Sequence, residues 1–300
     1  MRAVTRDGGR MNQREFVLTI AQAISEGAQV LQAAGVAAAR REAGSLLAHV
    51  ISRDRTYLIT HGDEKLSPTE AAAFRQKIAR RAAGEPFQYI SGSQEFFGLD
   101  FEVTPDVLIP RPETELLVET ALVLLQGTNR SFICDIGTGS GCISIALLKN
   151  LAAAHAIGVD IWPPALSVAQ RNAARHGVGS RLALVAGDCF AAFRPEAARF
   201  TMIVSNPPYV DESDLDGLQR EVRDFEPRVA LTPGRDGLSV IRRLLIDAPA
   251  YLVPGGHLLF EIGYRQHEAV GRLVDTRVWT LLAIHKDLQG IPRAVALRRR

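Results

Sequence analysis

From residue 131 onward, short apolar runs alternate with helical stretches, and no other feature restricts the fold of this chain as much. The runs cover residues 132–136, 157–160, 182–186, 202–205 and 258–262. Helical segments separate most of them. Alternation of this kind predicts an α/β fold with a doubly wound parallel sheet. Two more strand candidates, 278–284 and 294–297, close the chain.

The segment before the sheet has a different character. Residues 13–85 are Ala-rich and read as a small all-helical domain. Phe16, Ile20, Ile24 and Leu31 share one helical face, and Gly35 is placed to end that helix. A second helix carries Leu46, Leu47 and Val50. The clearest start signal is Ser67-Pro68-Thr69-Glu70, where Ser67 caps, Pro68 takes the first helical position and Glu70 completes a capping box. That helix is expected to end near Gly84. Residues 86–107 change period: Phe97, Leu99, Phe101 and Val103 alternate with polar positions. This predicts a β-hairpin linker with Ser91-Gly92-Ser93 as a turn. A helix is expected at about 112–126, opening a catalytic domain over 108–300. Residues 1–12 read as a disordered leader, within which Met11 offers an alternative start.

Asp135-Ile136-Gly137-Thr138-Gly139-Ser140-Gly141 follows a strand and opens a helix. Glycines there let the backbone turn tightly and let a ligand approach the main chain. The spacing is GxGxG, not the GxGxxG of a dinucleotide pyrophosphate site. Asp160 ends the next strand, 19 residues after Gly141, where a carboxylate can accept from both hydroxyls of a ribose. Asp135 can hold a cationic amino-acid tail. A ribose and an ammonium without phosphate describe S-adenosylmethionine, with S-adenosylhomocysteine as the spent form. Asp188 and Cys189 end a third strand, beside the expected adenine. Each also has an ordinary structural reading, as a helix cap and as a small buried residue.

Asn206-Pro207-Pro208-Tyr209 follows the fourth strand, at the sheet edge where open α/β folds bind ligands. Two prolines fix the backbone and remove two N–H donors. The Asn206 side-chain oxygen and the Pro207 carbonyl can then each accept one hydrogen from a planar NH₂ group. Its nitrogen would face the sulfonium methyl, so that Asn206 borders cofactor as well as substrate. Tyr209 offers a face for stacking. Orientation of this kind contributes roughly 7–11 kcal/mol to such a transfer. Direct transfer follows, with no covalent enzyme intermediate. The structural alternative for the tetrapeptide is a rigid turn.

With 35 basic and 33 acidic residues the chain shows no long basic surface. Three cysteines, none in a CxxC, fit a reducing cytoplasm and argue against a structural metal. No apolar run is long enough to span a membrane, and no apolar segment follows the N-terminal arginines as in a signal peptide.

Together these motifs resemble the release factor glutamine methyltransferase family, the HemK-like N5-glutamine methyltransferases. Beyond Asn206–Tyr209 the resemblance runs through Glu95-Phe96-Phe97-Gly98-Leu99 and Leu108-Ile109-Pro110-Arg111-Pro112-Glu113-Thr114-Glu115. It continues in Glu221-Val222-Arg223-Asp224-Phe225-Glu226-Pro227, Gly234-Arg235-Asp236-Gly237-Leu238 and Lys286-Asp287-Leu288-Gln289-Gly290-Ile291-Pro292-Arg293. It implies a Rossmann-like seven-stranded class I methyltransferase sheet behind a helical domain and a hairpin. It also implies a release factor as protein partner and the glutamine of its Gly-Gly-Gln motif as substrate. By position, Gly137–Gly141 and Asp160 hold the cofactor and Asn206–Tyr209 the glutamine. Cys189 stands where some members carry a tryptophan. Arg111 and Glu113 are candidates for the substrate mouth, Glu226-Pro227 for a lid.

Other readings share the local motif. Exocyclic amines of adenine or cytosine are planar too, so a DNA or RNA amino-methyltransferase is one alternative. Against stable nucleic-acid binding, residues 1–85 hold 13 basic and 9 acidic residues and no dense basic stripe. A ribosomal-protein glutamine methyltransferase is a second alternative. A non-catalytic module that keeps the fold is a third, opposed by the intact Asn206 and Asp160.

Overall fold

The computed structural model describes residues 18–128, 130–194 and 199–300. The leader, Met11 and Phe16 lie outside the described residues. Between Ser91 and Gly92 the chain divides into two compact units.

The first unit is helical: α1 (Ile20–Ala33), α2 (Ala39–Ile51), α3 (Arg55–Thr60), α4 (Pro68–Ala82) and α5 (Phe87–Ser91). Local chemistry marks the ends. Thr19 and Gln22 form a capping box at α1, Asp54 caps α3, and Ser67 with Glu70 forms the capping box expected at α4. Gly35 takes φ +84° just beyond α1, a left-handed turn that only glycine adopts without strain. Ile20, Leu31, Leu46, Leu47, Phe74 and Ile78 are buried together, with Ile24 and Val50 packed at their flank. Ile90 joins that core, and Lys77 Nζ donates to its carbonyl at 2.7 Å.

The second unit opens with an antiparallel hairpin, β1 (Ser93–Phe96) and β2 (Leu99–Glu102). The turn is Phe97-Gly98, not Ser91-Gly92-Ser93. Both central residues have positive φ, 53° and 71°, the geometry that matches the twist of a two-residue hairpin. An aromatic residue seldom adopts that geometry, so alternation alone assigned Phe97 to the strand. Two carboxylates hold the turn: Glu115 accepts from Phe97 N at 2.8 Å and Glu95 from Gly98 N at 2.6 Å. Phe96 and Phe101 are buried against α6 (Glu115–Leu124) and α7 (Cys142–Asn150). Removing two such rings from water contributes about 2–3 kcal/mol each.

The seven-stranded sheet is built from β3 (Phe132–Ile136), β4 (His155–Asp160), β5 (Leu182–Ala186), β6 (Phe200–Ser205), β7 (Leu252–Glu261), β8 (Trp279–Lys286) and β9 (Pro292–Arg299). Their spatial order is β5-β4-β3-β6-β7-β9-β8. The first five run parallel, and β9 pairs antiparallel to both β7 and β8. The sheet is therefore mixed rather than wholly parallel. Only five residues, 287–291, join β8 to β9, too few for the crossover that parallel neighbours require. Asp287 shapes that turn by accepting from Gln289 N and Ile291 N at 2.9 Å.

Alternation along each strand feeds two cores. Ile133, Met202, Val204 and Leu259 face α6 and α7. Cys134, Ile203, Leu258 and Phe260 face the opposite side, with Ile241, Leu244 and Ala248 of the helix Ser239–Tyr251. Burial on both faces is why these strands read as unbroken apolar runs.

Candidate active site

The chain leaves β3 toward β4 and β5 on one side, then returns to place β6 on the other side of β3. The carboxyl ends of β3 and β6 thus form a topological switch point, where the diverging crossovers open a crevice. Ile136 pairs with Ser205, so the glycine loop after β3 and the Asn-Pro-Pro-Tyr segment after β6 emerge side by side. A Cβ on Gly137 would stand 3.8 Å from the Asn206 carbonyl. The crevice is a cavity of about 360 Å³.

Its walls bring together most of the residues singled out from sequence. Gly137, Thr138, Gly139, Ser140, Asp160, Asp188, Cys189, Asn206, Pro207 and Pro208 all border it. Gly141, Asp135 and Tyr209 are not among its wall residues. The N–H groups of Gly137 and Thr138 both donate to the Val159 carbonyl, at 2.8 and 3.0 Å, which ties the loop to β4. Gly139 N donates to Asp160 Oδ2 at 2.8 Å and Trp162 N to Oδ1 at 2.9 Å. One carboxylate therefore organises the loop and still faces the cavity. Burial raises the Asp160 carboxyl above its usual range, and these backbone donors oppose the rise. From the opposite side, Asn172 Nδ2 donates to the Ser140 carbonyl at 2.9 Å.

Asp135 is fully buried under the loop. Its Oδ2 accepts from Thr138 Oγ1 and Ser144 Oγ, both at 2.8 Å, while Oδ1 has no hydrogen-bond partner. Burial pushes its carboxyl up to about 6. Asp188 is held by Arg243, whose Nη1 donates to Oδ1 at 2.7 Å and to Oδ2 at 2.8 Å. That guanidinium, 55 residues downstream and itself on the cavity wall, had no signature in the sequence. Cys189 is buried with φ +52°, and burial pushes its thiol up to about 11; Cys142 is pushed to about 12. Neither thiol supplies a thiolate at neutral pH.

Asn206 is anchored by contacts that sequence reasoning missed. Its Nδ2 donates to Thr114 Oγ1 at 3.0 Å, and Thr114 Oγ1 donates to Glu261 Oε2 at 2.7 Å. Tyr209 Oη donates to the other oxygen, Glu261 Oε1, at 3.0 Å. Tyr209 is further held by Gln266 Nε2, which donates to its carbonyl at 2.9 Å. Both ends of this residue, the hydroxyl and the carbonyl, are thereby fixed. Burial, then proximity to Glu261, drives its phenol pKa upward. The clue to Glu261 was present in the sequence: a carboxylate closing an apolar strand is rarely buried without a task. Farther out, Arg111 Nη2 donates to Glu226 Oε1 at 2.5 Å, joining two motifs 115 residues apart. Arg111 and Pro227 both line the cavity.

Among the described residues no cluster of His, Cys, Asp and Glu has metal-binding geometry, and no helix is long and apolar enough to cross a membrane.

Known proteins match this chain in sequence and fold. The family model described as the PrmC N-terminal domain matches residues 22–92, and that of the methyltransferase small domain matches 112–222. A release factor glutamine methyltransferase of Koribacter versatilis is 43% identical over 282 residues, covering 94% of this chain and 99% of that protein. Its counterpart from Geobacter sulfurreducens is 44% identical, covering 96% of this chain and 99% of the relative. Among solved structures, the hMettl16 catalytic domain superposes with a TM-score of 0.52 at 15% identity, over 79% of this chain and 84% of that one. That likeness concerns the fold alone.

Proposed function

The chain belongs to the release factor glutamine methyltransferase family, and from that premise we propose how its residues carry out the family's reaction. It is an S-adenosylmethionine-dependent protein-glutamine methyltransferase. The site fits that donor on its own evidence. The buried Asp135 Oδ1, which has no hydrogen-bond partner, suits the cationic amino-acid end. The Asp160 carboxylate suits a ribose diol. Gly139 borders the cavity with φ +54°, and an added Cβ would meet nothing within 4 Å, leaving room for a ligand against the main chain. When bound, S-adenosylmethionine supplies a methyl group on a sulfonium, an electrophile that needs no acid to activate it.

Asn206 carries the reading. Its nitrogen is committed to Thr114, which leaves Oδ1 to accept one hydrogen of a substrate carboxamide. The Pro207 carbonyl accepts the other. Two acceptors on one NH₂ group aim the nitrogen and offset the positive charge that grows on it during transfer. An amide nitrogen is a poor nucleophile because its lone pair is delocalised, so orientation supplies the main part of the advantage. The proton is lost afterwards from a strongly acidic N-alkylated amide, and Asn206 need not act as a base. The substrate is the glutamine of the Gly-Gly-Gln motif of a release factor. A cytoplasmic setting is supported by the buried, unpaired Cys134, Cys142 and Cys189.

The test is transfer of labelled methyl to a purified release factor by wild type and Asn206→Ala, with mass mapping of the product. N206A should retain cofactor and lose transfer. Wild-type transfer by N206A, or label recovered in an oligonucleotide instead of protein, overturns the assignment.

A further inference from the structure

We propose that Thr114 and Glu261 form a hydrogen-bond relay that fixes which end of the Asn206 carboxamide faces the substrate. The proposal rests on the reading of Asn206 given above and adds two positioning residues to it.

A carboxamide is nearly symmetric in shape, and turning it by 180° exchanges a donor for an acceptor. If Asn206 turned this way, it would present N–H to an incoming NH₂ group, and the clamp would repel what it must hold. The prolines that follow cannot prevent such a turn, because they fix the backbone and not the side chain. Something buried has to set the sense.

Glu261 does so. It is 2% exposed and accepts at both oxygens, from Thr114 Oγ1 at 2.7 Å and from Tyr209 Oη at 3.0 Å. Both hydroxyls are the donors in these bonds. Burial pushes the Glu261 carboxyl above its usual range, the two hydroxyls and the nearby Arg293 oppose that rise, and in its ionised form the carboxylate has no hydrogen to give back. Thr114, also 2% exposed, has a single hydroxyl hydrogen, and Glu261 takes it. The Thr114 oxygen can then only accept from Asn206, which brings Nδ2 to it at 3.0 Å. Oδ1 is left on the other side of the carboxamide. The direction of every bond in the chain follows from the two hydroxyls donating to the carboxylate at its end. Tyr209 holds that end in place through its hydroxyl and through the bond its carbonyl accepts from Gln266.

The experiment measures kcat and KM for methyl transfer to a purified release factor, together with the cofactor dissociation constant, for Thr114→Val, Thr114→Ser, Glu261→Gln and N206A. T114V keeps the shape and removes the hydroxyl. E261Q keeps the shape and puts a donor where only acceptors stood, so the relay can run in either sense. Both should lower kcat by about 10–100-fold, the scale on which partners behind a reacting site act. The loss should fall on kcat rather than KM, with cofactor affinity little changed. T114S, which restores the hydroxyl, should recover most of the lost rate. Wild-type kcat in T114V and E261Q beside an inactive N206A overturns the relay and leaves the assignment of Asn206 intact. An equal loss in T114S and T114V also overturns it, since the hydroxyl would then not be the agent. Full transfer by N206A removes the premise and the relay with it. Should T114V fail to fold, as judged by its thermal melt, E261Q decides by the same criteria.

Discussion

Two glycines of the same loop should fail in opposite ways when given a methyl group. Gly139 has φ +54° and borders the cavity, and a Cβ added there meets no atom within 4 Å. Gly139→Ala therefore costs only the left-handed backbone penalty, about 1–2 kcal/mol, in the ligand-free protein. Gly141 has φ +80°, and its added Cβ would lie 3.0 Å from Ile145 Cδ1 and 3.2 Å from Ala169 Cβ. Ile145 and Ala169 are fully buried, so neither has room to give way. Gly141→Ala bears the same backbone penalty and adds overpacking, for a loss of about 2–5 kcal/mol. The order inverts for ligand binding. The G139A methyl takes up space in the open part of the loop and should weaken cofactor binding about tenfold or more, about 1.4 kcal/mol or more. Gly141 is not among the wall residues, and whatever fraction of G141A folds should bind nearly normally. Urea denaturation and calorimetric titration with S-adenosylmethionine measure the two effects separately. If G139A proved the less stable variant, or G141A the weaker binder per folded molecule, the division of the loop into an open face and a packed face would be wrong.

Asp160→Ala strips the acceptor from Gly139 N and Trp162 N and removes the carboxylate from the cavity. With charge-assisted hydrogen bonds at about 1.5–3 kcal/mol each, cofactor affinity should fall about 100-fold, as read by equilibrium dialysis. Asp135 should make cofactor binding depend on pH. Its carboxyl is raised from 3.8 to about 6, so in the ligand-free protein its contribution to stability is whole below about pH 4 and is lost as pH rises through about 6. A cationic ligand favours the ionised form, so affinity should tighten between about pH 5 and 7 with proton release, and Asp135→Asn should flatten the profile. Calorimetry in two buffers of different ionisation enthalpy reads that release directly. Arg111→Met strands the Glu226 carboxylate, whose side chain is 1% exposed. A buried charge left without its partner costs about 3–5 kcal/mol, reduced here to about 2–3 because Arg111 stands partly in solvent. Glu226→Gln should cost less, and equal losses in urea unfolding would refute the argument from charge.

What could be read along the chain is what local physics writes there. Burial on both faces makes β3, β6 and the second half of β7 largely apolar runs, and the order of the five parallel strands with intervening helices announces an open α/β sheet. Capping chemistry at Ser67 and Glu70 depends on residues three apart. The spacing of Gly137, Gly139 and Gly141 reports a backbone that turns left-handed after β3, and Asn206–Tyr209 reports a rigid corner at a strand end. Each signal is contained within a few residues, so composition and period expose it.

The tertiary structure alone decided which distant groups meet. Thr114 reaches Glu261 across 147 residues, Arg111 reaches Glu226 across 115, and Arg243 reaches Asp188 across 55. None of these pairs has a spacing that could be recognised, because the fold creates their proximity. The same holds for Tyr209, whose hydroxyl meets Glu261 across 52 residues. The Phe97-Gly98 turn was settled by carboxylates from neighbouring elements rather than by the preference of an aromatic residue. Hydrogen bonding is short-ranged in space and indifferent to separation along the chain, which is why the motifs were legible and the network that orients them was not.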